Sequence, residues 1–122
     1  MLVEIEEHGE IRIVRVKQPK LTYPALSAFF GEVRQLVEGG TRKLVVDLAA
    51  VGYIDSASIG CLMDIHRLLQ DKGGVVVLSG LQPRVETMIS MTGVHKIVTL
   101  HPDEAAALAA FGVRGSRAKG DA

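Results

Sequence analysis

Two short apolar runs, Leu44 to Leu48 and Val75 to Leu78, constrain the fold of this chain most. The first, Leu-Val-Val-Asp-Leu, is apolar except for Asp47, and the second is apolar throughout. A strand without polar alternation has both faces covered. Between the runs, from about Ala57 to Lys72, Ile59, Leu62, Met63, Ile65, Leu68 and Leu69 recur at helical spacing, and Gly73-Gly74 stops the helix. An amphipathic helix joining two covered strands requires a sheet with helices packed against it.

The flanking sequence fits the same plan. Leu2 to Glu7 and Ile11 to Val16 alternate apolar and polar residues around His8-Gly9-Glu10, which predicts a hairpin. Gln18-Pro19-Lys20 breaks the strand pattern. Pro24 to Glu38 places Leu26, Phe29, Phe30, Val33, Leu36 and Val37 in one helical stripe, with Thr22 as the N-cap and Gly39-Gly40 as the stop. Gln82-Pro83 opens a third helix, with Val85, Met88, Ile89 and Met91 inward and Gly93 at its end. Lys96 to Leu100 reads as a short last strand, and Pro102 to Phe111 as an alanine-rich final helix. The expected order is ββαβαβα(β)α, an α/β fold with a mixed sheet of four to five strands and about four helices packed against it. The length of 122 residues suits one domain over residues 1–112, followed by a small, basic and disordered tail over residues 113–122.

Composition removes several function classes. Lys+Arg and Asp+Glu both number 14, so there is no general basic face for nucleic acid. Phe29, Phe30, Phe111, Tyr23 and Tyr53 are too few for a base-stacking platform. Cys61 stands alone, which excludes an intrachain disulfide and a cysteine-based metal site and points to a reducing cytoplasm. It reads as a packing residue, although a helix N-terminus can depress a thiol pKa. His8, His66, His95 and His101 sit in separate elements without metal-ligand spacing, so neither metal nor cofactor is expected. The acidic start of the chain is unlike a signal peptide, and no apolar run approaches the roughly twenty residues that span a bilayer. Dinucleotide, Walker A and nucleophile-elbow motifs are absent.

The polar chemistry concentrates in Asp55-Ser56-Ala57-Ser58, at the head of the second predicted helix. A helix N-terminus exposes backbone N–H groups and the positive end of the dipole. A hydroxyl there can sit beside an anion or carry a phosphoryl group. Asp and Ser are also preferred N-caps, contributing about 1 kcal/mol, and from the residues alone that plainer reading suffices. Asp47 and Asp55 could meet at strand ends as an acid–base pair, but closing a strand and capping a helix is the simpler use of each. A serine nucleophile needs an activating base, and no histidine or lysine lies close to Ser56 in sequence.

The strand Leu44 to Leu48, a short turn, then Tyr53-Ile54-Asp55-Ser56-Ala57-Ser58-Ile59-Gly60 and an amphipathic helix resemble the STAS domain. More narrowly, the chain resembles the bacterial anti-sigma factor antagonists. Gly73 to Leu78 is similar to the family's next strand. Leu81-Gln82-Pro83-Arg84-Val85 with Met91-Thr92-Gly93-Val94 is similar to its third helix and the turn after it. The resemblance covers residues 2–112. It implies a partner-switching regulator that is not an enzyme and needs no cofactor. It implies that Ser56 is phosphorylated from ATP by a serine kinase that is also the anti-sigma factor, and that a serine phosphatase reverses this. The unmodified protein would bind the kinase and free the sigma factor. The implied partner surface is Ile54, Asp55, Ser56, Ala57, Ser58, Ile59 and Gly60 with Thr22 and Tyr23, on a monomer or weak dimer. Two departures stand out. Ser58 occupies a position where the family usually has Gly, which makes it a rival phosphorylation site. Lys17 to Tyr23 lacks the acids that the family tends to carry there for partner contact. The alternative expectation is a STAS scaffold or partner-switch component acting on another output, with Ser56 modified or not.

Overall fold

The computed structural model describes residues 1–112, and the expected tail lies outside the described residues. The elements are β1 (Val3–His8), β2 (Ile11–Val16), β3 (Lys20–Leu21), α1 (Tyr23–Glu38), β4 (Lys43–Asp47) and β5 (Tyr53–Ile54). They continue with α2 (Ser56–Asp71), β6 (Val75–Ser79), α3 (Pro83–Thr92), β7 (Leu100–His101) and α4 (Glu104–Ala110). The main sheet runs β1-β2-β4-β6-β7. β1 and β2 form the expected antiparallel hairpin. Every other pair in this sheet is parallel, and parallel neighbours need a crossover, which α1, α2 and α3 supply. β1 is one edge of the sheet, with three glutamates, Glu4, Glu6 and Glu7, among its six residues.

The covered strands are explained by two cores. Val14, Val16, Leu44, Val46, Val76 and Leu78 face one way, against Phe29, Val33 and Val37 of α1, Ile65 and Leu69 of α2, and Val85 and Ile89 of α3. Ile11, Ile13, Val45 and Val77 face the other way, onto Ala107, Leu108 and Phe111 at the C-terminal end of the described chain. The mixed sheet with four helices is as the sequence led one to expect.

Three local expectations need correction. Lys96 to Leu100 is not a strand: a 3-10 turn at Val94–Lys96 precedes a strand of only two residues. Gly93 ends α3 at φ +81°, a left-handed conformation that suits glycine, and Val98 N–H then returns to the Val94 carbonyl at 2.8 Å. Val94 and Val98 both point inward, at the spacing of a helical turn rather than of a strand. Met91 is 81 % exposed, because Val85 and Ile89 already fill the inner face of α3. Thr22 occupies the cap position of α1 but makes no side-chain cap bond.

The smaller core is closed by charge. Arg15 of β2 holds both carboxylate oxygens of Glu104 on α4, at 2.6 and 2.8 Å, and reaches Glu6 at 2.6 Å and Glu4 at 3.3 Å. This guanidinium holds the Glu104 carboxyl down at about 2. Asp47, buried beside Glu104 and Ser79, is shifted upward, first by burial and then by Glu104. The two acids therefore act with opposite signs. Glu104 contributes stability above its ordinary value of 4.5, and the contribution is lost as pH falls towards about 2. The contribution of Asp47 is present below its ordinary value of 3.8 and is lost as pH rises through its raised folded value. Asp47→Asn keeps an acceptor for the Ala49 N–H, which Asp47 bonds at 2.8 Å. Thermal melts should place this variant a few degrees above the wild type at neutral pH, with the gap closing in acid; a lower melting point at neutral pH would refute the assignment.

Candidate functional site

The site is assembled where two loops are laid together. The short parallel pair β3–β5 sets Leu21 beside Ile54, and both are buried. The Gly52 N–H donates to the Pro19 carbonyl at 2.8 Å, and the Gln82 side chain donates to the Ala49 carbonyl at 2.8 Å. The β3–β5 pair and the Gly52–Pro19 bond bring the start of α1 and the start of α2 side by side.

Asp55 joins them. Its Oδ1 accepts the Ser58 N–H at 2.9 Å, which caps α2, while its Oδ2 accepts the Tyr23 N–H at 3.0 Å, which caps α1. The Ser58 hydroxyl lies 2.6 Å from Asp55 Oδ1 and against the Leu21 carbonyl, and the Asp55 N–H reaches its Oγ at 3.5 Å. This is a capping box, with Ser58 at its third helical position. The Ser58 hydroxyl and the two cap bonds hold the Asp55 carboxyl below its usual range. Asp47 serves other elements, binding Ala49 and Ser79, so the two aspartates are not an acid–base pair.

The two serines are placed in opposite ways. Ser58 is fully buried, and its hydroxyl is occupied. Ser56 is exposed in the first turn of α2. The N–H groups of Ser56 and Ala57 precede the first intrahelical bonds, which begin at Ser58 and Ile59, so the head of the helix keeps free donors. Around Ser56, Ala57 and Gly60 are exposed, Tyr23 is 74 % exposed and Tyr53 43 %. Ile54 and Ile59 are buried and support this surface from below.

A groove that the sequence pattern does not reveal opens beside the site. Tyr23, Leu26 and Phe30 of α1 and Ala57, Gly60 and Asp64 of α2 line about 550 Å³ of open space. Leu26 and Phe30 read as core residues in sequence; they are only partly buried and form one wall. Cys61 also lines the groove, and burial pushes its thiol up to about 11, so it is a neutral packing group. Among the described residues no cluster of metal-ligating side chains occurs. No described helix is long and apolar enough to cross a membrane.

Fold and site together define a class: a small α/β domain with three crossover helices on one sheet face and a capped Asp-Ser turn at the head of the second. The STAS domain family model matches residues 3–107, and the chain belongs to that family. It is 23 % identical to the anti-sigma F factor antagonist of Paenibacillus polymyxa over 107 residues, 87 % of this chain and 91 % of the relative. It is 31 % identical over 80 residues to BtrV of Bordetella bronchiseptica, a candidate anti-sigma factor antagonist, covering 66 % of this chain and 69 % of that one. The crystal structure of an anti-sigma factor antagonist from Mycobacterium paratuberculosis superposes with a TM-score of 0.81 at 25 % identity, over 93 % of both chains. The Bacillus protein SpoIIAA shares the fold in its unphosphorylated form, with a TM-score of 0.76 at 16 % identity over 90 % of this chain and 96 % of that one. Its phosphorylated form gives 0.70 at 15 % identity, over 89 % and 98 %.

Proposed function

We propose that this chain is an anti-sigma factor antagonist switched by phosphorylation of Ser56. Unmodified, it binds an anti-sigma factor that is also a serine kinase; phosphorylated, it is released, and a serine phosphatase restores it. Residues 1–112 act as one STAS domain in the cytoplasm, as a binding module rather than an enzyme. The observation that carries this reading is the contrast between the two hydroxyls: Ser56 is exposed on an apolar surface, whereas Ser58 is sealed in the capping box.

The geometry suits a switch that blocks association without refolding the domain. Phosphate on Ser56 adds about −1.5 to −2 charges at a helix N-terminus, where dipole and free N–H groups favour it. The domain therefore tolerates the modification, and a partner packed over Ala57 and Gly60 does not. Both Asp55 oxygens are engaged in caps, so the kinase supplies the base that takes the serine proton.

The test is incubation with ATP and the anti-sigma kinase of the same cell, followed by mass mapping of residues 53–67. One phosphate on Ser56 is the expected result. Phosphate on Ser58, or none, rejects this reading, and stable assembly with partners whatever the state of Ser56 would favour a scaffold.

A further inference from the structure

We propose that α4 is a proton-operated latch on the second face of the sheet: a proton shared by Asp47 and Glu104 seats the helix, and its loss lets α4 lift from Ile13, Val45 and Val77. This face lies opposite α1, α2 and α3, so the latch does not depend on the reading of Ser56. The register sets Glu4, Arg15, Asp47, Ser79 and His101 side by side on five successive strands. Cross-strand partners share a face, so one polar row crosses the whole sheet. Ile13, Val45 and Val77 form the apolar row two residues earlier on β2, β4 and β6. α4 spans both rows. Glu104 in its first turn meets the polar one through Arg15, and Leu108 and Phe111 at its other end pack onto the apolar one. The helix has little else to hold it. It is seven residues long, too short to persist alone in water, and five of the seven are alanines. Ala107 is the residue of α4 that is fully buried.

The charges at the polar end explain why a proton is needed there. The Arg15 guanidinium already serves Glu104, Glu6 and Glu4. Lys17 stands 3.9 Å from Glu4, and His8 pairs with Glu6. Asp103 is used within α4, accepting the Ala106 N–H at 2.8 Å. His101 neighbours Ser79 at the far end of the row. Asp47 brings a fourth carboxyl, buried, with the Ala49 N–H, the Ser79 hydroxyl and Glu104 as its partners. Two carboxyls in contact hold one proton between them, because a second negative charge is opposed both by burial and by its neighbour. Burial and then Glu104 raise Asp47 above its ordinary 3.8, whereas Arg15 holds Glu104 at about 2. As pH rises, Asp47 gives its proton to water while Glu104 keeps its charge. The pair then changes from hydrogen-bonded to repelling. The latch is closed in acid and loosens as pH rises through the folded value of Asp47.

The experiment follows amide exchange of the full chain by NMR from about pH 4 to about pH 8, expressed as protection relative to an unstructured chain. Protection of Ala107 and Phe111, whose N–H groups bond the Asp103 and Ala107 carbonyls, should fall about tenfold as pH rises. The amides of β4 and β6 should keep theirs. The Asp47 carboxyl carbon should titrate with the same midpoint, above 3.8. Asp47→Asn should abolish the pH dependence. His8→Gln and His101→Gln should retain it, which separates a histidine effect from the shared proton. Wild-type protection of α4 that does not change with pH overturns the proposal, whatever the variants do. So does a loss that β4 and β6 share, since the whole domain would then be opening. A midpoint apart from that of the Asp47 carboxyl, a dependence that Asp47→Asn keeps, or one that a histidine variant removes, overturns it equally.

Discussion

Ser56→Glu should weaken binding of the anti-sigma kinase by about a hundredfold and leave the melting temperature within a degree or two of the wild type. A like charge brought against an interface costs several kcal/mol, and about 1.4 kcal/mol corresponds to a tenfold change in affinity. The fold has no reason to respond, because Ser56 is exposed and a carboxylate at a helix N-terminus is favourable. Ser56→Ala should bind as the wild type does and accept no phosphate. Calorimetric titration of the three proteins with the same kinase preparation, each with its melting curve, checks both halves. A glutamate variant that binds normally removes the electrostatic account of the switch.

The second large effect falls on stability. Asp55→Ala removes the cap of α2, the cap of α1 and one partner of the buried Ser58 hydroxyl. A single cap is worth about 1 kcal/mol, and a buried hydroxyl left short of a partner adds about 1 kcal/mol more. The expected loss is about 2–3 kcal/mol, a large share of the ~5–15 kcal/mol that holds a domain of this size together. Asp55→Asn should lose about half as much, because its oxygen can still cap one helix while its amide group faces the other N–H. Urea unfolding followed by circular dichroism distinguishes the two. Equal losses for Ala and Asn would mean that the charge, rather than the two-sided acceptor geometry, is what matters.

The parts legible in the sequence were those governed by periodicity over several residues. The apolar runs ending at Leu48 and Leu78 and the helical stripes of α1 and α2 needed no tertiary knowledge, because covered strands and amphipathic helices are written locally. The Asp-Ser turn was legible for the same reason: a capping pattern stands within four residues. The missed features depend on contacts between distant segments. Nothing near Thr22 says that its helix is capped from position 55, since the bond exists only after β3 and β5 pair. That pair has two residues per strand, too short for any alternation to register. Ile97, Val98 and Thr99, inside the expected strand Lys96 to Leu100, misled for the opposite reason: beta-branched residues favoured a strand, but the left-handed Gly93 and the 3-10 turn after it led the chain another way. The groove was hidden because Leu26 and Phe30 are apolar whether they face a core or a partner.

The acidic edge strand has a consequence for crowded solutions. A free sheet edge offers unpaired backbone groups to any extended chain, including another copy of itself. In β1, an approaching copy would meet Glu4, Glu6 and Glu7, which Arg12 and Arg15 of β2 engage. Charged side chains meet any strand that approaches this edge, which opposes growth of the sheet there.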